Sequence, residues 1–491
     1  MGTINSALSL TTGALDADQA ALSVVANNVA NANTTGYTEE TPDWQENQPI
    51  NVGGIQVGDG VTETGATSQR DRVLEERLDQ QQQLASASST RLTALNAMQA
   101  LFTPDSGSSS ATAGDIGSDI TSFFDAFSSL ESDPTDNALR EQVLSSASTL
   151  AGDISSAANN LHAQSAALDQ EASGIVGQVN ALTGAVAQLN LEIQSTSPDS
   201  DAGTLEDQRQ QDLSQLSQLI GINQVTTENN GLSITTTSGQ LLASEGQSFQ
   251  LTTGTVNGVT DFFLDGTDIT SRLATGGGQL GGYLTARDVD IPGALSSLDQ
   301  LAYGISTSVN AQNNSGVDGS GNTGVAVPGS TTGAETLDIF SPPPTYAANL
   351  AGGGTDVAGA AAAMSVVMTD PNQIAAAGAG SGTGDNSNAV AIASLAGQTI
   401  VNGQTPINYY SNFVSTLGAT VSEVETENTA QNASVTQLQT QNNALSSVNL
   451  NDEAAAMSKL ETSYQAASQV FTLLNTIMAS TLNLGVETAV S

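Results

Sequence analysis

Cysteine is missing from this chain of 491 residues, histidine occurs once, and basic side chains number 9 against 50 Asp and Glu. Each shortage removes a chemistry. Without thiols there is no disulfide, iron–sulfur cluster, thiolate zinc site or cysteine nucleophile, and His162 alone cannot build a two-histidine metal site. Phosphate binding needs clustered Lys and Arg, yet no basic residue precedes Arg70 and none falls between Arg287 and Lys459. Nucleic acid and anionic membrane surfaces are therefore excluded as expected partners. No apolar run approaches the ~18 residues of a membrane span, and the first 30 residues lack the basic and apolar regions of a secretory signal peptide. The expectation is a soluble chain that, if exported, travels by another route. Aromatics make up 4% and one Trp, Trp44, is present, so any core is small and alanine-rich and a stacking cleft for sugars is poorly supplied.

Present instead is apolar periodicity at both ends. Leu8, Leu15, Leu22 and Val29 recur every seventh residue, with Ile4 and Val25 on the neighbouring seam, and predict a helix ending near residue 33, where Asn27, Asn28, Asn31, Asn33 and Gly36 favour a turn. At the other end Met457, Leu460, Tyr464, Ala467, Phe471, Leu474 and Met478 alternate by three and four. Asn451 is the expected N-cap of that helix, followed by Asp452 and Glu453. Such stripes either pack on the protein's own core or pair with each other and with neighbouring copies. Pattern alone leaves both open.

Between the ends the chain reads in blocks. An extended stretch precedes a helix over 70–102, in which Arg72 and Glu76 are spaced for a solvated pair. A Gly/Ser linker over 103–114 leads to a short Phe-rich helix, then a long helical run to about residue 193 with weak points at Gly174, Gly177 and Gly184, and a further helix over 204–220. Period-two segments follow residue 222, residues 313–388 are low in complexity, and helix returns over 406–447. The expected fold is mostly α with β insertions. Residues 1–33 and 451–491 would form a terminal coiled-coil domain; 34–221 with 389–450 an elongated helical bundle bearing a strand-containing extension over 222–312; and 313–388 a small β-rich outer insert.

Candidate chemical sites are weak. Gly276 to Gly281 formally fits a dinucleotide-binding glycine pattern but lacks the preceding strand, so it reads as a connection. Asp318, Ser320 and Asn322 mimic the start of a calcium loop, whereas Thr323 and Gly329 stand where Gly and Glu are needed, which leaves an Asx-rich turn. His162 reads as a surface residue. With 50 acids some carboxylate pair falls at glycosidase separation by chance, so a secreted hydrolase is a distant reading. No catalytic residue, cofactor or metal ligand is expected. A net charge of -41 predicts that copies pack together more readily at high salt or low pH, which equal assembly at pH 8 and low salt would refute.

The segment Ala26 to Tyr37, after the leucine-striped helix, resembles the signature shared by flagellar rod, hook and hook-associated proteins. Arg70 to Leu78, Phe127 to Pro134, Leu205 to Ser214, Gly281 to Asp288 with Pro292 to Leu295, and Val448 to Ala456 through Ala467 resemble the family of flagellar hook-associated protein 1, the first hook–filament junction protein. Residues 313–388 carry no resemblance, and Thr38, Glu39 and Glu40 stand where the family often has a basic residue. The resemblance implies a non-enzymatic structural role in motility: a ring of copies between hook and filament, needed for filament assembly and exported by the flagellar type III apparatus to the extracellular flagellum. Implied partners are further copies, the hook protein, the second junction protein and an export chaperone on the C-terminal helix. By the same analogy Leu8, Leu15, Leu22, Val29, Met457, Leu460, Tyr464, Phe471, Leu474 and Met478 are assembly residues. The alternative is another axial protein, a hook or distal-rod subunit.

Overall fold

A computed structural model describes residues 2–52, 55–102, 115–196, 202–228, 230–256, 258–324, 336–343 and 357–487. The chain opens with α1 (Gly2–Asn31), turns through Gly36 at φ +83°, and runs into an antiparallel ribbon of β1 (Glu40–Glu46) and β4 (Val61–Ser68), with a smaller hairpin, β2 (Ile50–Val52) and β3 (Ile55–Val57), at its far end. Next come α2 (Arg72–Ala100), α3 (Ile116–Leu130), α4 (Asn137–Thr196) and α5 (Gly203–Leu219). Asp71 caps α2 by accepting from the backbone N–H of Val73 at 3.0 Å and Leu74 at 3.1 Å. The predicted linker over 103–114 lies outside the described residues.

Two antiparallel sheets follow. One holds β5 (Ile222–Thr226), β6 (Leu232–Thr236), β7 (Leu241–Ser244) and β8 (Gln247–Ser248) in chain order; the other holds β9 (Leu251–Val256), β10 (Val259–Leu264) and β11 (Thr267–Asp268), with β10 in the middle. The chain then re-enters helix through α6 (Thr270–Ala274), α7 (Gly278–Thr285), a π-helical turn at Ala286–Asp290 and α8 (Ile291–Ser315). It ends with α9 (Ser387–Ser394), α10 (Pro406–Ser446) and α11 (Leu450–Glu487). Thr405 caps α10, and Pro406 begins it with no N–H to satisfy. The architecture is mostly helical with small sheets.

Two apolar cores share one helix. The 60 residues of α4 extend for ~90 Å at 1.5 Å per residue. Its first half joins α3, α8, α9 and α10 around Phe123, against which Phe127 packs edge-to-face and Phe340 at a tilt, each at a centroid distance of 5.4 Å. The second half joins α5, α7 and both sheets around Val179, Val186, Leu216, Ile234 and Phe262. The glycines predicted to weaken α4 do not interrupt it, because Gly174 and Gly177 face open space while the opposite side of the helix is packed.

The segment 313–388 differs from a β-rich insert. Its described parts contain isolated bridges such as Phe340 with Val366, and Leu337, Ile339, Phe340, Ala361 and Met364 are buried in the helical core. Residues 325–335 and 344–356 lie outside the described residues. Side chains of α8 hold this backbone in place of sheet partners: Asn310 Oδ1 accepts from the N–H of Ile339 and Phe340 at 3.0 Å each, Asn313 Nδ2 donates to the Leu337 carbonyl at 2.6 Å, and Asp299 accepts from the N–H of Gly359 at 3.0 Å and Ala361 at 2.8 Å. Buried backbone polar groups need partners, and amide or carboxylate side chains supply them here.

Candidate assembly interface

The two ends of the chain meet. Helix α1 lies along α11 and also touches β1 and β4. The buried side of α1 carries Thr11, Ala17, Ala21, Val25 and Asn28, residues small enough for close approach of the helices. Of the leucine stripe, Leu8, Leu15 and Leu22 are half-buried beside that line, and Val29 is 39% exposed. On α11, Met457, Leu460, Phe471, Leu474 and Met478 are half-buried, whereas Tyr464 is 38% exposed. A second line on α11, Val470, Leu473 and Ile477, is exposed and uncovered in the single chain.

A buried amide pins this pair to the rest of the molecule. Asn28, 1% exposed, donates through Nδ2 to Glu453 Oε1 at 2.9 Å and to the Glu40 carbonyl at 2.8 Å. Its Oδ1 accepts from the Tyr37 hydroxyl at 2.8 Å and from the Glu40 N–H at 3.0 Å. One side chain thus ties α1, the following turn, β1 and α11 together. Burial, then the charge of Glu40, raises the Tyr37 hydroxyl above its ordinary range, and burial raises the Glu453 carboxyl. The Glu39 N–H donates to the Ser446 carbonyl at 2.8 Å, adding a backbone tie to the end of α10.

Sequence reading missed this joint. The Asn28 and Tyr37 positions read as turn chemistry, and nothing local announces Glu453 as their partner. The cap of α11 also falls earlier than Asn451: Asn449 Oδ1 accepts from the Asn451 N–H at 3.1 Å, and the N–H of Glu453 reaches the Asn449 carbonyl at 3.0 Å. Arg72 does not pair with Glu76 along the helix. Its guanidinium reaches across to the buried Glu206 at 2.9 Å, and with Arg70, which bonds Asp207, it clamps α2 onto α5.

The remaining sequence candidates resolve as structure. Gly278 opens α7 at φ +70°, where a Cβ would stand 2.5 Å from the Ile220 nitrogen, so the glycine run permits close backbone approach rather than phosphate binding. Asp318 Oδ1 accepts from the N–H of Ser320 at 2.8 Å and Asn322 at 2.7 Å, closing an Asx turn. His162 is exposed on α4. Among the described residues no group of three or more His, Cys, Asp or Glu side chains is arranged to hold a metal ion, and no helix is long and apolar enough to cross a membrane.

Comparison with known proteins joins these features. Residues 8–38, the α1 stripe and its turn, match the family model described as flagella basal body rod protein, and residues 105–327 match that of the flagellar hook-associated protein FlgK helical domain. The chain is 25% identical to flagellar hook-associated protein 1 of Escherichia coli K12 over 98% of its length and 99% of that protein's, and 25% identical to that of Bacillus subtilis over 96% of each. Identity to flagellar hook-associated protein 1 of Salmonella typhimurium is 28% over 63% of this chain, a match spanning 57% of that relative. The structure of the flagellar hook junction protein FlgK from Burkholderia pseudomallei shares the fold, with a TM-score of 0.62 and 19% identity over 74% of this chain and 99% of that one. Terminal helices that meet, the signature turn and these matches define a flagellar axial protein. Within that class the chain is a relative of flagellar hook-associated protein 1.

Proposed function

We propose that this chain forms the junction ring between hook and filament of a bacterial flagellum and is needed for filament assembly. One observation carries the reading: the α1 and α11 pair leaves Val470, Leu473 and Ile477 uncovered along its outer side, with Leu10 and Val29 exposed on α1. A narrow apolar line of this kind gains its burial from further helices of the same type. The residues assigned to assembly are Leu8, Leu15, Leu22, Val29, Met457, Leu460, Tyr464, Phe471, Leu474 and Met478, which line or flank that pair. Copies of this chain, the hook protein and the second junction protein are its partners, and a chaperone covers α11 during type III export. The role is mechanical, with no catalytic step. In this reading the terminal helices form the inner layer and the two cores the outer body, with the described parts of 313–388 packed into the first of those cores.

The test is a deletion strain scored for hooks on cells and flagellin in the medium. Bare hooks with flagellin lost to the medium are expected. Absent hooks would move the protein to the rod or hook, a possibility supported by the rod-type match at residues 8–38, and normal filaments would refute both readings.

A further inference from the structure

The chain's one tryptophan stands on an open face of the ribbon formed by β1 and β4. Trp44 lies opposite Glu63, and two residues further along Glu46 lies opposite Val61. Directly paired residues share a face, as do residues two apart, with side chains about 5 Å away across the strands and ~7 Å away along them. These four side chains therefore form one patch. Trp44 is 47% exposed, Val61 and Glu46 are exposed as well, and Glu63 is half-buried. Neither carboxylate is in an ion pair among the described residues. A tryptophan flanked by two free carboxylates suits a cation, because the indole face attracts positive charge and the carboxylates pair with it.

Few cations are free to meet it. Arg70, Arg72, Arg91, Arg140, Arg209 and Arg287 bond within the fold. Arg77, Arg272 and Lys459 are exposed and make no ion pair among the described residues. Their surroundings differ. Arg77 on α2 has Val73, Leu74, Gln80 and Gln81 one turn away, so its own helix offers no acid at pairing distance. Val73, Arg77, Gln80 and Leu84 fall within about 60° of arc on a helix of 3.6 residues per turn. All four are exposed, Val73 by 67%, which sets Arg77 between two open apolar side chains. Arg272 lies on the five-residue α6 with Leu273 buried beside it, and Lys459 has Ala455, Ala456, Thr462 and Ser463 one turn away. Neither brings an open large apolar group. A guanidinium also stacks on an indole, where an ammonium meets it as a point charge.

We propose that the ribbon patch of one copy receives the α2 stripe of a second copy, with Arg77 on Trp44 between Glu46 and Glu63 and its apolar neighbours covering Val61. The proposal deepens the assembly reading above and rests on it for the second copy. The two surfaces differ and both are open on each chain, so the contact is heterologous and runs from copy to copy around a ring or along a helix. Charge favours it. Chains with 50 acids each repel one another, and an interface that joins a free arginine to two free carboxylates offsets that repulsion where the copies meet. Tryptophan and arginine are also the side chains on which interface energy concentrates.

The lack of native cysteine allows a disulfide trap. Full chains carrying Glu46→Cys and, separately, Gln80→Cys, one of them tagged, are mixed at high concentration and mildly oxidised. The mixed dimer is expected to exceed either homodimer at least about tenfold, and to fall to the homodimer level when the Gln80→Cys chain also carries Arg77→Gln. A mixed dimer at statistical yield, or one indifferent to Arg77→Gln, overturns the contact. In cells, Arg77→Glu is expected to lower incorporation at least about tenfold and the added reversal Glu46→Arg to restore part of it. Both positions are exposed, so the urea midpoint of each purified chain is expected to match the parent's. Normal incorporation of Arg77→Glu, or no restoration by the reversal, overturns the pairing in the assembly. Normal filaments in the deletion strain would remove the flagellar setting and leave the trap readable, whereas bare hooks with a statistical trap would sink the contact and leave the junction reading standing.

Discussion

Replacing Asn28 by Ala should undock the terminal helices without unfolding the body. The side chain makes four hydrogen bonds, to Glu453, the Glu40 carbonyl, the Glu40 N–H and Tyr37. At about 1 kcal/mol net each the loss is ~4 kcal/mol, and more where a partner stays buried and unpaired. Glu453 is the worst placed, since it is 6% exposed and its Oε2 already lacks a partner. That loss corresponds to roughly a thousandfold rise in the open population of the terminal pair. Backbone amide exchange should accelerate across α1 and α11 while α3 and α4, which belong to the separate apolar core around Phe123, keep their protection. An acceleration below about tenfold in α1 and α11 would refute the claim that this amide holds the ends together. Equal acceleration in α4 would show that the terminal pair and the body open as one unit.

Leu474→Asp should leave the urea unfolding of the two cores unchanged yet block incorporation into flagella, because it puts a charge on the apolar line of α11 that faces α1; normal incorporation counts against the assembly assignment. Asp119 on α3 is pushed up to about 7 by burial and by the neighbouring carboxyl of Asp153. A carboxyl that titrates near 4 when unfolded then binds more protons in the folded chain, so its contribution to stability declines as pH rises from about 4 through about 7. Asp119→Asn is expected to raise the urea midpoint at pH 8 and leave it unchanged at pH 3, and an equal gain at both would exclude this proton. Gly174→Ala adds a Cβ in open space within α4 and should stabilise by ~0.8 kcal/mol, whereas Gly278→Ala forces a Cβ 2.5 Å from the Ile220 nitrogen at φ +70° and should cost about 2 kcal/mol or more in the same denaturation.

What could be read from the sequence was what is local. The three-and-four spacing on α11 falls on its half-buried line from Met457 to Met478 except at the exposed Tyr464, and the period change after residue 222 located the sheets. The heptad on α1 was less faithful, because a seven-residue repeat drifts by ~20° per heptad on a straight helix. Ala17, Ala21 and Val25, spaced by four, hold the buried centre instead, and Val29 has turned outward. Small residues give weak hydropathy signals even where they permit the closest packing. The segment 313–388 was misread for a related reason: a chain of Gly, Ala, Ser and Thr has little periodicity of its own, and the side chains that order it, Asn310, Asn313 and Asp299, lie on α8.

Polar contacts across long separations were beyond reach altogether. Asn28 and Glu453 stand 425 residues apart, and Arg72 finds Glu206 rather than the acid one turn along its own helix. Both follow one physical rule, that a buried charge or amide takes whichever partner the fold brings into a dry site, since leaving it bare costs more than a surface pair returns. The rule explains why the asparagine-rich turn after α1 holds the chain's two ends together. Its amide, on α1, bonds the turn, β1 and α11 at once, so the motif specifies a joint between the ends of the chain as well as the end of a helix.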